Sequence, residues 1–302
     1  MCAITGYLSK RGENTCIGRL MLAMLRPVSC RGPDSAGVAL FGPPQDGFTL
    51  RIKLGESDQG DYSARAAQIQ KILAQQTELR AQSRAGAYLR LEITTLPESI
   101  LAAIEAVNSE VEVISAGHRL EIVKQVGSPD ALDATYQVAG MTGTHGIGHT
   151  RLSTESRIDL SHSQPFWAHG RPDLATVHNG HITNYHKMRR RYEQKGVRFY
   201  TDNDSEIIGL YLRDRMTQGL SFEEALVASM HDFDGSFCYL AATETALAYV
   251  KDPFGLKPLM VAETDDWVAI ATEEIALRSA LGAKFTASEP MSGRLRVWNL
   301  PG

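Results

Sequence analysis

A cysteine directly follows the initiator methionine, and a strand-forming run follows the cysteine at once: Met1-Cys2-Ala3-Ile4-Thr5-Gly6-Tyr7. Once the methionine is removed, Cys2 carries a thiol and a free α-amine on one residue. The unperturbed amine titrates near pH ~8 and the thiol near ~8.5, so the amine can take the thiol proton close to neutral pH, directly or through one water. Ile4 and Thr5 are β-branched, and the alternation from Ala3 reads as a short strand leading away from the terminus. Such a strand would hold the thiol in place, so the fold has to anchor its own beginning. The alternative is that Met-Cys is a coincidental start, and the rest of the chain has to decide between the two.

With 302 residues and 43% hydrophobic content, the chain can bury a full core. A formal charge of -4 and a pI near 6.1 leave no broad electropositive footprint, which argues against a nucleic-acid partner. No apolar run reaches membrane-spanning length and Met1-Cys2 does not open a secretory signal, so the expected compartment is the cytoplasm, with no membrane partner. The four cysteines, Cys2, Cys16, Cys30 and Cys238, have no C-x-x-C spacing and no paired pattern, so neither a metal site nor a disulfide framework is expected. Cys16, Cys30 and Cys238 are expected to be buried, apolar-behaving thiols.

After the first strand, Asn14-Thr15 can cap a helix carrying Ile17, Leu20, Met21, Met24 and Leu25 on one face, and Pro27 stops it. Cys30-Arg31-Gly32-Pro33-Asp34-Ser35-Ala36-Gly37 is then a charged loop, either a structural turn or part of a site, and Val38 to Phe41 a strand. From about 47 to about 136 the pattern changes to alternating units: strand 48–54, helix 64–82, strand 87–95, helix 97–108, and strands at 111–114 and 120–123. This stretch reads as an inserted α+β subdomain, suited to assembly or partner docking rather than chemistry.

Polar, glycine-rich chemistry resumes at Gly143. Thr144-His145-Gly146-Ile147-Gly148-His149-Thr150-Arg151 reads as a strand with glycines where another backbone or a ligand comes close. The planar fork of Arg151 at its end suits a carboxylate. His145 and His149 lack an acidic partner at a matching offset and read as satisfied core histidines rather than metal ligands. Val177 ends a buried strand running into His178-Asn179-Gly180-His181. Asn-Gly there is either a hairpin turn or an oxyanion hole, with the Asn179 amide and the Gly180 N–H aimed at one oxygen. Asn184 begins a basic helix that is most simply a solvated face. Asp202, Asp204 and Glu206 precede the next helix, where capping accounts for one acid but not for three. The last third reads as antiparallel strands covered by helices.

Seven stretches occur in one order: the first cysteine, Arg31-Gly32-x-Asp34-Ser35-x-Gly37, Gly148-His149-Thr150-Arg151, His178-Asn179-Gly180 before Asn184-Tyr185, Asp202-x-Asp204-x-Glu206, Lys251 to Leu259, and Ala271-Thr272-Glu273-Glu274. Together they resemble the N-terminal-nucleophile glutamine amidotransferases, the class II glutaminase domains, over residues 2–42 and 143–285. The resemblance implies a four-layer αββα sandwich. It implies Cys2 as nucleophile with its own amine as base, Asn179 and Gly180 as the oxyanion hole, and Arg31 beside the nucleophile. Arg151 would take the α-carboxylate of glutamine, Asp204 its α-ammonium, and Thr154 would line the substrate pocket. Leu152 stands where the family usually has an aromatic, and Glu155-Ser156 replaces a more common pair, so the entrance is expected to differ.

Arg151-Leu152-Ser153-Thr154 is nearest the glutamate synthase version of the motif. The pattern ends near residue 285 with about one strand left, and the sequence carries no phosphate-cradling loop, cluster-binding cysteine pattern or flavin site. The expectation is a stand-alone glutaminase subunit of the glutamate synthase-like or N-methylglutamate synthase type. It would bind glutamine or a related γ-amide within a hetro-oligomer of synthase-type subunits, with FMN and an iron-sulfur cluster on those partners and no cofactor on this chain. Two rivals stand beside it: an N-terminal-nucleophile hydrolase of another amide, and a non-catalytic assembly subunit that keeps the fold.

Overall fold

The computed structural model describes residues 2–97, 99–153 and 157–301. β1 (Ala3–Ser9) leads through α1 (Ile17–Leu25) and a 3-10 turn (Arg26–Arg31) to β2 (Ser35–Phe41). The middle of the chain holds β3 (Phe48–Lys53), α2 (Ser63–Leu73), β4 (Leu79–Ala85), β5 (Tyr88–Ile93), α3 (Ile100–Glu105), β6 (Glu112–Gly117), β7 (Leu120–Val126) and α4 (Pro129–Tyr136). β8 (His145–Arg151), β9 (Phe166–Trp167) and β10 (Ala175–Ile182) precede α5 (Tyr185–Gln194), α6 (Glu206–Thr217) and α7 (Phe222–Asp232). β11 (Gly235–Ala242), β12 (Ala246–Lys251), β13 (Met260–Glu263), β14 (Trp267–Ala271), α8 (Glu274–Leu281), β15 (Ala287–Ser288) and β16 (Arg294–Asn299) complete the chain.

The strands form three antiparallel sheets, ordered β15-β13-β14-β1-β8-β2-β7, β16-β12-β11-β10-β9 and β4-β5-β3-β6. β1 sits in the middle of the first sheet, and all seven of its residues are buried. It is covered on both faces for reasons written in its neighbours. A Cβ on Gly6 would meet Leu240 of the second sheet at 2.9 Å, whereas one on Gly148 of β8 would meet Met21 of α1 at 3.0 Å. These glycines let the second sheet and the helix approach from opposite sides. β11 shows the same layering by alternation: Cys238, Leu240 and Ala242 enter the core shared with the first sheet, while Phe237, Tyr239 and Ala241 join Ile208, Tyr211 and Leu226 of α6 and α7. The result is a four-layer αββα sandwich, with α1 and α8 on one side and α6 and α7 on the other.

Several elements differ from the sequence reading. The helix expected over 64–82 ends at Leu73, and 79–85 forms the exposed edge strand β4. Leu-Arg-Ala-Gln-Ser-Arg-Ala has helix-forming composition, but pairing with β5 overrides that weak preference. The strand expected at 120–123 is part of β7, which pairs with β2 at the edge of the seven-stranded sheet. Asn14-Thr15 does not cap α1: the Thr15 hydroxyl and N–H both donate to Gly143 O, and Cys16 stands at the cap without a side-chain bond. Cys16 and Cys30 are exposed rather than buried, because both lie at the ends of helical turns outside the core; Cys238 is buried as expected.

Candidate active site

The antiparallel register of β1 on β8, Ala3 opposite Thr150, brings Cys2 to the same edge as Arg151. β2 delivers Ser35 opposite Arg151 on the other side of β8, and Asp34 clamps the exit of that strand. The Asp34 N–H donates to Arg151 O at 3.0 Å, and its carboxylate accepts from the Ser153 N–H at 2.7 Å. The Arg151 guanidinium donates to Arg157 O at 2.9 Å and to the Ser153 hydroxyl at 3.4 Å, so its fork is held in a defined orientation. Cys2 Sγ lies 3.7 Å from Leu152 O, to which it donates. Burial pushes the Cys2 thiol up from its ordinary value, while the Leu152 backbone and the Arg151 charge pull it down.

The second wall comes from the other sheet. Asn179 and Gly180 do not form a hairpin turn: they lie inside β10, paired with Cys238 and Phe237 of β11. Gly180 has φ +147°, and a Cβ there would sit 2.3 Å from Ser236 O, so only glycine fits. Asn179 is 3% exposed, and its Nδ2 amide has no hydrogen-bond acceptor among the described residues. A buried donor without an acceptor costs about 1 to 3 kcal/mol, so the strand keeps it at a penalty. The preceding residue is fixed from two sides. Gln164 accepts from the His178 N–H at 2.6 Å and donates to His178 O at 3.2 Å, acting as a side-chain rung beyond the end of β9. His149 Nε2 donates to the same carbonyl at 3.0 Å, joining the two sheets, and burial holds this ring neutral with a pKa of about 3. His145 is likewise buried and hydrogen-bonded, to Thr144 and to Thr243 O.

The three acids before α6 divide their work. Glu206 is buried and ties down the preceding turn, accepting from the Tyr200 and Thr201 N–H groups and the Thr201 hydroxyl at 2.8 to 2.9 Å. Asp204 accepts from the Ile182 N–H at 2.8 Å and lies 3.7 Å from both His178 Nδ1 and His181 Nδ1. Asp202 reaches His162.

One cleft of about 300 Å³ gathers these groups: Cys2, Arg151 and Leu152 from the first sheet, Gln164, His178 and Gly180 from the second, and Asp202 to Ser205 from the turn before α6. Of the residues expected from sequence, Cys2, Arg151, Gly180 and Asp204 line it, and Asn179 is buried beside Gly180. Arg31 ion-pairs with Glu273, which follows Thr272; the Thr272 N–H donates to Ile4 O at 2.9 Å, so this pair sits at the Cys2 end of β1. Thr154 and Met1 lie outside the described residues. The sequence marks Asp202 only as part of the acidic run before α6, and it does not mark Gln164, His162 or Ser205. Polar side chains in loops carry no periodic signal, and their partners are distant in the chain.

Two sheets packed face to face between helices, with a cysteine opening the central strand beside a polar cleft, define an N-terminal-nucleophile hydrolase architecture. Comparison with known proteins narrows this. Residues 149–279 match the family described as "Glutamine amidotransferase domain". A putative glutamine amidotransferase of Methanothermobacter thermautotrophicus is 34% identical over 307 residues, covering 99% of this chain and 100% of that protein. The glutamine amidotransferase-like protein GlxB of Rhizobium meliloti is 33% identical over 92% of this chain and 91% of its own. The structure of glutamine phosphoribosylpyrophosphate amidotransferase from B. subtilis aligns with a TM-score of 0.64 at 17% identity, which shows a shared fold; the chain spans 47% of that protein. The chain belongs to the class II glutamine amidotransferases. Among the described residues, no helix is long and apolar enough to cross a membrane.

Proposed function

We propose that the chain hydrolyses the γ-amide of glutamine through Cys2 and passes the released ammonia to a synthase-type partner. The observation that carries this reading is the convergence of Cys2, Arg151, Gly180 and Asp204 on one cleft. The reaction follows from their chemistry. With Met1 removed, the Cys2 amine takes the thiol proton and Sγ attacks the amide carbon. The carbonyl oxygen becomes an oxyanion that accepts from Asn179 Nδ2 and the Gly180 N–H. The C–N bond then breaks, ammonia leaves with the proton held by the amine, and water cleaves the thioester to give glutamate and free Cys2. Arg151 grips the α-carboxylate and Asp204 the α-ammonium. Ligand pockets run from about 300 to 1,000 Å³. A cleft at the small end, with a cation and an acid in its lining, suits a free amino acid better than a bulky acyl amide.

The finer reading is a stand-alone glutaminase subunit of the glutamate synthase-like or N-methylglutamate synthase type, with FMN and an iron-sulfur cluster on the partner subunits. Matches covering 100% and 91% of the lengths of two glutamine amidotransferase-type relatives support that reading. Leu152 lines the cleft where an aromatic is usual, which supports room for a small N-alkyl group, as in γ-glutamylmethylamide. The test is glutamate release from both amides by the processed protein, alone and with synthase-type subunits. Low activity alone, stimulated by partners, is expected; equal rates with and without them overturn the hand-off, and no cleavage of the methylamide in the complex overturns the alkyl substrate.

A further inference from the structure

A line of charged side chains starts at the cleft wall. Asp202, on the cleft wall, lies 2.7 Å from His162 Nε2, and His162 Nδ1 lies 2.7 Å from Asp159 Oδ1. A neutral imidazole has one N–H and one lone pair, and an ionised carboxylate only accepts. With a carboxylate oxygen at each ring nitrogen, both nitrogens must donate, and His162 is an imidazolium. Burial opposes that charge, but the two carboxylates outweigh it and hold the ring above its ordinary pKa. The same pairing holds the Asp159 carboxyl down at about 2, against the effect of its own burial.

His162 joins two segments that shape the cleft. The first, 157–164, is anchored at its start by Arg151, which donates to Arg157 O, and at its end by Gln164, which fixes His178. Its middle is held by the four-stranded sheet and its surroundings: the Leu160 N–H donates to Glu56 at 2.9 Å, and Ser161 bonds Lys53 of β3 and Glu112 of β6. The second is the turn 200–205, which carries Asp202 and Asp204 into the cleft. Asn203 Nδ2 adds a long bond to His162 O at 3.4 Å. The charged groups around the latch are Asp159 and Asp202 against the ring, with Arg151 of β8 facing both acids. Lys53 of β3 and Lys124 of β7 face Asp159, and Glu112 of β6 and Glu56 face Lys53.

We propose that His162 is a positioning residue: by donating to Asp159 and Asp202 together, it latches the 200–205 turn onto the 157–164 segment and so sets where Asp204 meets the substrate's ammonium. This rests on the head-group role given to Asp204 above. The sign follows from the protonation state. The latch is complete below the ordinary histidine pKa of about 6.5 and is lost as pH rises through the raised value, because a neutral ring leaves one carboxylate facing a lone pair. Cys2 directly precedes β1 and the Asn179-Gly180 pair lies within β10, both positioned by sheet pairing rather than by the latch itself, so KM should move while kcat holds.

The test measures kcat and KM for glutamine against pH in the processed wild type, His162→Gln and Asp202→Asn. The wild-type KM is expected to rise ~10-fold or more through the alkaline limb; both variants should start at the raised KM and lose the limb, with kcat within ~2-fold. A kcat loss at unchanged KM, or a KM limb that survives His162→Gln, overturns the proposal. NMR titration of the labelled His162 ring without substrate decides it independently of turnover. A midpoint above that of an exposed histidine, lowered in Asp202→Asn, supports the latch; a ring neutral at pH 6 overturns it. If the wild type cleaves no amide, the proposed reaction fails, and the ring titration still judges the latch.

Discussion

At the scale of single residues, the site keeps a buried polar group that costs stability and that the proposed reaction would use. The Asn179 amide is buried without an acceptor. Replacing it with alanine breaks no bond to the described residues, yet removes one of the two proposed oxyanion donors. Asn179→Ala should therefore lower kcat by ~100- to ~1000-fold with a small change in KM and no loss of melting temperature. A large KM effect with kcat intact would contradict the oxyanion role. Arg151→Ala removes a charge-assisted contact, and kcat/KM for glutamine should fall ~30- to ~1000-fold; near-normal kcat/KM would show that another group reads the carboxylate. These residues were legible in sequence because each is chemically specialised at its position: a glycine beside an amide, a forked cation at a strand end, an acid before a helix. Gln164 and His162 were not, since their roles exist only through His178, Asp202 and Asp159, which the fold brings to them.

At the scale of elements, strand alternation made the antiparallel strands readable and the family resemblance implied the four-layer sandwich, while β4 and the pairing partner of β7 were hidden. β4 has a helix-forming composition and becomes a strand only because β5 lies alongside. β7 adjoins the four-stranded sheet in sequence but pairs with β2, and local pattern carries no information about that choice. Its Lys124 shows what the arrangement costs. Burial lowers this ammonium from its ordinary value to about 8, with Glu112 opposing the shift, and Nζ donates to Ser161 O. A lysine whose folded pKa is depressed adds stability at high pH, above its unfolded value of about 10.5, and loses it as pH falls through about 8. At pH 7 the charged form thus costs roughly 3 kcal/mol against its free state. Lys53 remains beside Glu112 at 3.5 Å to balance that acid. Lys124→Met should raise the melting temperature relative to wild type at pH 7, with the advantage shrinking between about pH 8 and pH 10; an advantage that grows with pH would contradict the assignment.

At the scale of the whole molecule, the fold anchors a chain terminus in the middle of a sheet and faces it with a strand from another sheet. Cys2, the proposed nucleophile, and Asn179 and Gly180, the proposed oxyanion donors, are thus held by separate layers, joined by the His149 bond to His178 O. The loops carrying Arg31 and 157–164 lie outside those layers, which is where the proposed synthase-type partner would act on the site. The central claim is that this architecture exists to run amide hydrolysis from Cys2. The most direct measurement is glutamate release from glutamine by protein whose intact mass confirms loss of Met1, beside Cys2→Ala and a form that retains Met1. The account predicts turnover in the processed protein and none above background in the other two. Undiminished activity in Cys2→Ala, or in the form that keeps its methionine, would contradict it.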